Sequence, residues 1–245
     1  MGDLLLYLTS EYLTDYHRWI EQQYDFASIT INELNLIQQD ILLNQEVSFA
    51  TFFACETNFR NHLMQTIVLN SNSPKYITLF AQCVQNADTQ ALERALFASQ
   101  HPQTIRYLVR FAASIPTANL RKIETRLLQQ ASVDTRLIHL AVSFLKAIPS
   151  AKIDQFIPLI LRAGAPQHLY FLAQQGVAKR ELRQIEDRLI QAKSFRFIRQ
   201  LAANIPGANL AKLEDFVLSS GNIKEIKQFA KSVKQAKSRG LSILF

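Results

Sequence analysis

Five histidines, His17, His62, His101, His139 and His168, are the residues best suited to metal or proton chemistry. No pair has metal-ligand spacing, and none keeps company with a carboxylate or thiol in a recognised nucleophile–base arrangement. The chain has no glycine-rich phosphate loop, no G-x-S-x-G and no H-E-x-x-H. The expectation is therefore a chain that is not an enzyme and takes no metal or cofactor. The two cysteines, Cys55 and Cys83, lie inside apolar helical patterns and read as buried free thiols of a reducing cytoplasm.

Two columns of charge remain. Lys75, Arg106, His139, His168, Arg196 and Lys224 each stand five residues before a recurring apolar anchor. A stripe of cations near helix N-termini is not what helix electrostatics favours. It suits an anionic partner, either a nucleic-acid backbone or an acidic protein segment. The alternative is scattered surface residues in a basic half. The last helical pattern adds Lys227, Lys231, Lys234, Lys237 and Arg239 around Ile223, Ile226, Phe229 and Val233, a basic amphipathic segment. The second column, Glu93, Glu124, Glu186 and Glu214, directly follows an apolar position and is expected to face solvent near helix starts.

Both columns belong to a repeated sentence. FAASIPTANLRKIETRLL (Phe111 to Leu128) recurs as LAANIPGANLAKLEDFVL (Leu201 to Leu218) and more loosely as FLKAIPSAKIDQFIPLIL (Phe144 to Leu161). The anchors are Phe80, Phe111, Phe144, Leu201 and Phe229, with a weaker copy anchored at Ala173 if one extra residue is allowed near Gly176. Their separations are 31, 33, 29, 28 and 28 residues, the period of stacked helical hairpins. Four residues after the anchor comes Val84, Ile115, Ile148, Ile205 or Val233, which the spacing puts on the anchor's face of a first helix. Pro116, Pro149 and Pro206 share the column that ends it. The next column holds alanines (Ala87, Ala118, Ala151, Ala208), small enough for close helix approach. Asp88, Asn119 and Asn209 are placed to cap a second helix, whereas Lys152 predicts a less crisp start. A hairpin with one apolar face cannot bury it alone, so the copies must stack.

Glycine is scarce, at 6 of 245 residues, and strand-like alternation is absent, so the chain reads as all-α. No run of eighteen apolar residues is long enough to span a bilayer, and the opening residues lack a secretory signal. The net charge of +7 is uneven. Residues 1–100 carry 4 Lys/Arg against 11 Asp/Glu, and residues 101–245 carry 23 against 9, a difference of −7 against +14. Such asymmetry predicts an acidic partner for the second half, and allows self-association of acidic and basic halves.

Before the repeats, residues 3–23 read as an amphipathic helix carrying Tyr16 and Trp19. Ser28 or Thr30 starts a helix running through Leu43, and a third helix is expected from about Ser48 to Leu69. Residues 1–70 read as a helical cap or small bundle, 71–239 as the solenoid, and 240–245 as an apolar tail. Ser73-Pro74, His101-Pro102 and Ala165-Pro166 are expected to open helices, Ser73 through its hydroxyl.

The IPGAN…LE wording, over residues 73 to about 239, resembles the HEAT-like α-solenoids and tandem helical repeats of poorly characterised bacterial and phage proteins. The resemblance implies an α–α superhelix of five to six helical hairpins. HEAT-like proteins include DNA-alkylation-repair glycosylases, but Trp19, the only tryptophan, lies outside the repeats, so their catalytic residues cannot be placed. The leading expectation is a non-enzymatic scaffold for a protein partner. The alternative is a nucleic-acid-binding solenoid, and a repair enzyme is the weaker third.

Overall fold

The computed structural model describes residues 29–238, with side chains through Lys234. The expected helix over residues 3–23, with Tyr16 and Trp19, and the tail over residues 240–245 lie outside the described residues. Among those described, every regular element is helical. The chain divides into two compact units, Met1–Ala118 and Asn119–Phe245.

The first unit contains α1 (Ile31–Asn44), α2 (Val47–Thr57), α3 (Asn61–Asn70), α4 (Pro74–Cys83), α5 (Thr89–Ala98) and α6 (Thr104–Ser114). Helix α2 pairs with α3 and α4 with α5, while α2, α4 and α6 pack on one another in turn. The boundary expected near residue 70 falls inside this unit, where α3 packs against α4.

The second unit contains α7 (Leu120–Val133), α8 (Ile138–Ala147), α9 (Ile157–Ala163), α10 (Pro166–Gln174), α11 (Lys179–Gln191), α12 (Phe195–Asn204), α13 (Leu210–Ser219) and α14 (Ile223–Ser238). Here α8, α10, α12 and α14 pack successively, and α9, α11 and α13 do the same.

The cores follow the apolar columns. Ile77 and Phe80 on α4, Leu108 and Phe111 on α6, and Ile198 and Leu201 on α12 are fully buried. On the second helices Leu92 and Leu96, Ile123 and Leu127, Ile185 and Leu189, and Leu213 and Val217 are at most 1% exposed. Each such pair is one helical turn apart, so a single apolar stripe faces inward.

Two columns differ from the sequence expectation. The β-branched residues Val84, Ile115, Ile148 and Ile205 do not ride on the first helix. They occupy its C-cap, with φ of −90°, −106°, −127° and −106°, and are buried there. Extended backbone is where β-branched side chains lose least, and in three copies the following proline imposes it. The alanines Ala87, Ala118, Ala151 and Ala208 lie in the turn one residue before the cap, outside the helices.

The caps form as the side chains dictate. Asp88, Asn119 and Asn209 accept from the amides of Ala91, Lys122 and Lys212. Lys152 has no such oxygen, and its segment opens with a 3₁₀ turn (Ile153–Gln155) before α9 starts at Ile157. Thr30 and Glu33 form a reciprocal capping box at α1. Pro74 and Pro166 do open helices, but Ser73 makes no hydroxyl cap, and Pro102 sits in the turn before α6. The single helix expected from Ser48 to Leu69 is broken into α2 and α3 by Asn58 and Arg60, whose φ values are 51° and 44°. Phe59, between them, folds back edge-on to Phe53 with ring centroids 6.4 Å apart, so burying that aromatic favours the break.

Candidate binding surface

The glutamate column is not a solvent-facing row. Glu186 is fully buried and Glu124 is 6% exposed, Glu93 is half-buried, and only Glu214 is exposed. The reason is a shared hydrogen bond. Glu124 Oε1 accepts from the backbone amide of Lys152 at 3.0 Å, and Glu186 Oε1 accepts from that of Asn209 at 2.7 Å. Gln65 does the same for Asp88 at 2.9 Å, and its Nε2 donates back to the Asp88 carbonyl at 3.4 Å. In each case the donor is the N-cap residue of the next second-helix segment, whose amide has no partner within that helix. A buried acceptor that would be costly alone is thus matched to a donor that would be costly alone.

Gln65 was not legible as a member because it is not acidic. The signal was present nonetheless. Phe52, Met64, Gln65 and Val68 precede Phe80, Leu92, Glu93 and Leu96 by 28 residues, and all but Gln65 and Glu93 are at most 1% exposed. The same 28-residue spacing of buried positions therefore already runs through α2 and α3. Gln38, which follows Ile37 on α1, is buried as well.

Five of the six cations of the column fall in the first turn of a first helix at matching or adjacent positions. Lys75, His139, Arg196 and Lys224 each occupy the second position of α4, α8, α12 and α14, and Arg106 the third of α6. On α10 the buried pair is Leu169 and Leu172, so Leu172 and not Ala173 is the anchor. The column position there is Gln167. His168 falls one residue later, half-buried, with Nδ1 accepting from the Ala165 amide at 3.3 Å. Burial, aided by the nearby His139 and Lys146 charges, holds its pKa below the ordinary imidazole value.

Arg106 in the first unit is exposed, as are His139, Arg196, Lys224, Lys231 and Lys234 in the second. The Lys75 ammonium stands 5.0 Å from the Tyr76 ring centre, and the Arg196 guanidinium 5.5 Å from that of Phe197. An aromatic ring thus lies beside each of these two cations.

A separate feature of the second unit escaped the sequence columns. Helices α9 and α11 flank a groove of about 570 Å³. Ile157, Pro158 and Leu161 make its apolar wall, and Arg162, Arg180 and Arg188 its basic rim, with Glu181 and Asp187 between. Two of the arginines are braced. Arg188 Nη1 donates to the Arg162 carbonyl at 2.9 Å, and Arg162 Nη2 donates to the Ser132 carbonyl at 3.0 Å. Asp187 is paired with Lys212 at 2.5 Å, which offsets its charge. The linear spacing of Arg162, Arg180 and Arg188 gives no hint of this convergence, because it depends on how α9 stacks on α11.

Among the described residues no group of three metal-ligating side chains converges, and no helix is long and apolar enough to cross a membrane. No protein-family model, curated protein or solved structure matches the chain.

Proposed function

We propose that this chain is a non-enzymatic helical-repeat scaffold, an α–α solenoid of the HEAT-like kind, that binds an acidic and partly apolar segment of a partner protein. The groove between α9 and α11 carries the reading. It joins an apolar wall to three guanidinium groups, and its volume is in the range of ligand-sized clefts. Guanidinium forks match carboxylates in two-bonded geometry. Bracing of Arg162 and Arg188 by main-chain carbonyls lowers the ordering cost of binding. The solenoid part of the reading is supported by successive packing of like helices in each unit and by the repeated side-chain-to-amide bond.

The test uses a fluorescein-labelled peptide of alternating Glu and Leu as probe, with its Lys/Leu counterpart as control. Arg180 lies on the rim without a structural hydrogen bond, so Arg180→Glu should leave the far-ultraviolet circular dichroism unchanged. It should weaken binding of the acidic peptide by about tenfold or more, the equivalent of 1.4 kcal/mol. Equal binding of both peptides, or no effect of Arg180→Glu, removes the groove as the site.

A second reading has its own support in the exposed cations of the first helices. Arg196 and Lys224, with Lys231 and Lys234 on α14, all in the second unit, would contact a nucleic-acid backbone through phosphates. Retention of random duplex should then fall steeply between about 50 and 200 mM salt and depend little on base sequence. Reversing charge at Arg196 and Lys224 together should abolish it. No retention at the lower salt removes this reading.

A further inference from the structure

Helix α1 turns a stripe of alternating acid and leucine outward. Glu33, Leu36, Asp40 and Leu43 follow one another at spacings of three and four, so they share one face. All four are exposed, Leu36 at 65% and Leu43 at 83%, while Ile37 and Ile41 supply the buried side. Large apolar residues bared in a row, with charges between them, mark an interaction face. Residues 29–46 hold three carboxylates, Glu33, Asp40 and Glu46, and no Lys, Arg or His. Glu33 Oε2 accepts from the Thr30 amide at 2.8 Å, and Asp40 Oδ1 accepts from the Asn44 side-chain amide at 2.9 Å. Those donors are neutral, so they orient the two carboxylates and leave their charge in place.

The groove between α9 and α11 is the complement of this stripe. Its wall is apolar, its rim carries three guanidinium groups, and of its two carboxylates Asp187 is already paired with Lys212. Arg180 and Arg188 stand eight residues apart on α11, about 12 Å along the axis, and Glu33 and Asp40 seven apart on α1, about 10 Å. Carboxylates at that interval can meet both guanidinium groups while Leu36 and Leu43 reach the apolar wall. The whole chain repeats the contrast, with −7 over residues 1–100 and +14 over residues 101–245, which steers unlike ends of two copies together.

We infer that the acidic segment taken by the groove is α1 of a second copy of this chain, so that copies associate head to tail. This rests on the groove reading given above. The stripe and the groove belong to different units and differ in chemistry, so the contact is not self-complementary. Each bound copy still offers one groove or one α1, and association continues from copy to copy unless a ring closes.

The experiment is sedimentation equilibrium of the full-length protein over about 1–100 μM, in about 50 mM salt. The average mass should rise with concentration to about twice that of the monomer or more. It should return to the monomer value in about 500 mM salt, where exposed charges are screened. Asp40→Lys and Arg180→Glu each change one exposed residue, one on each surface, and each variant alone should stay monomeric. Their equimolar mixture should regain assemblies, because each supplies the surface that the other has lost, and that recovery shows both variants to be folded. Monomer mass at every concentration, assemblies that survive either substitution, or a mixture that stays monomeric overturns the inference. Binding of the Glu/Leu peptide that needs Arg180, in a chain that remains monomeric, removes the second copy as occupant and leaves the groove standing. Loss of both removes the groove as well.

Discussion

Glu186→Ala probes the logic of the fold most directly. Glu186 is fully buried on α11, and its Oε1 accepts from both the Asn209 amide at 2.7 Å and Arg183 Nη1 at 2.5 Å. Its Oε2 has no hydrogen-bond partner among the described residues. Truncation leaves the Asn209 amide unsatisfied, at about 1–3 kcal/mol, and removes a charge-assisted bond that is worth about 1.5–3 kcal/mol when intact. The Arg183 side chain is 32% exposed and also donates to the Gly207 carbonyl at 3.1 Å, so it regains some solvation and the lower half of the second range applies. The sum is about 4 kcal/mol. For a unit running from Asn119 to Phe245, where 1 kcal/mol moves the midpoint by about 3–4 °C, this is a fall of about 12–16 °C in its Tm. The assay is thermal unfolding followed at 222 nm, with amide exchange at Asn209 as the local readout. Glu186→Gln keeps the acceptor that Gln65 shows to be sufficient, and should cost about 1 kcal/mol. Glu214→Ala changes an exposed residue of the same column and should stay within about 0.5 kcal/mol. Equal Tm values for Glu186→Ala and Glu214→Ala, or unchanged protection of the Asn209 amide, would refute the reasoning.

Other consequences follow from the same structure. Lys152 has φ −79° and ψ 85°, the same backbone as the capping Asn209, so Lys152→Asn should add the missing cap and raise stability by about 1 kcal/mol in urea unfolding. Phe111→Ala empties a fully buried anchor position and should cost about 3–5 kcal/mol by the same measurement. His168 titrates below its unfolded value of 6.5, so the unfolded chain binds the proton more tightly. Its contribution to stability is therefore fully present above pH 6.5 and is lost as pH falls from there through the native pKa. Protonation there also breaks the Nδ1 bond to the Ala165 amide and adds charge beside His139 and Lys146. His168→Gln should flatten the stability profile below pH 6.5, and an unchanged profile counts against the assignment.

What the sequence by itself determined is local. Asp88, Asn119 and Asn209 cap because an oxygen three bonds from Cα reaches the free amides of the next turn whatever lies beyond. Pro116, Pro149 and Pro206 end helices for an equally local reason, and the apolar spacing names Phe80, Phe111 and Phe144 as core before any neighbour is known. The failures are where a neighbour decides. Glu124 and Glu186 were read as solvated because a carboxylate has no reason to be buried until another segment brings an amide to it. Arg162, Arg180 and Arg188 became a rim only once α9 stacked on α11. Helix periodicity says which face of one helix is oily. Which residue of the next helix meets it depends on the loop between, and a one-residue shift such as that from Ala173 to Leu172 moved His168 off its column.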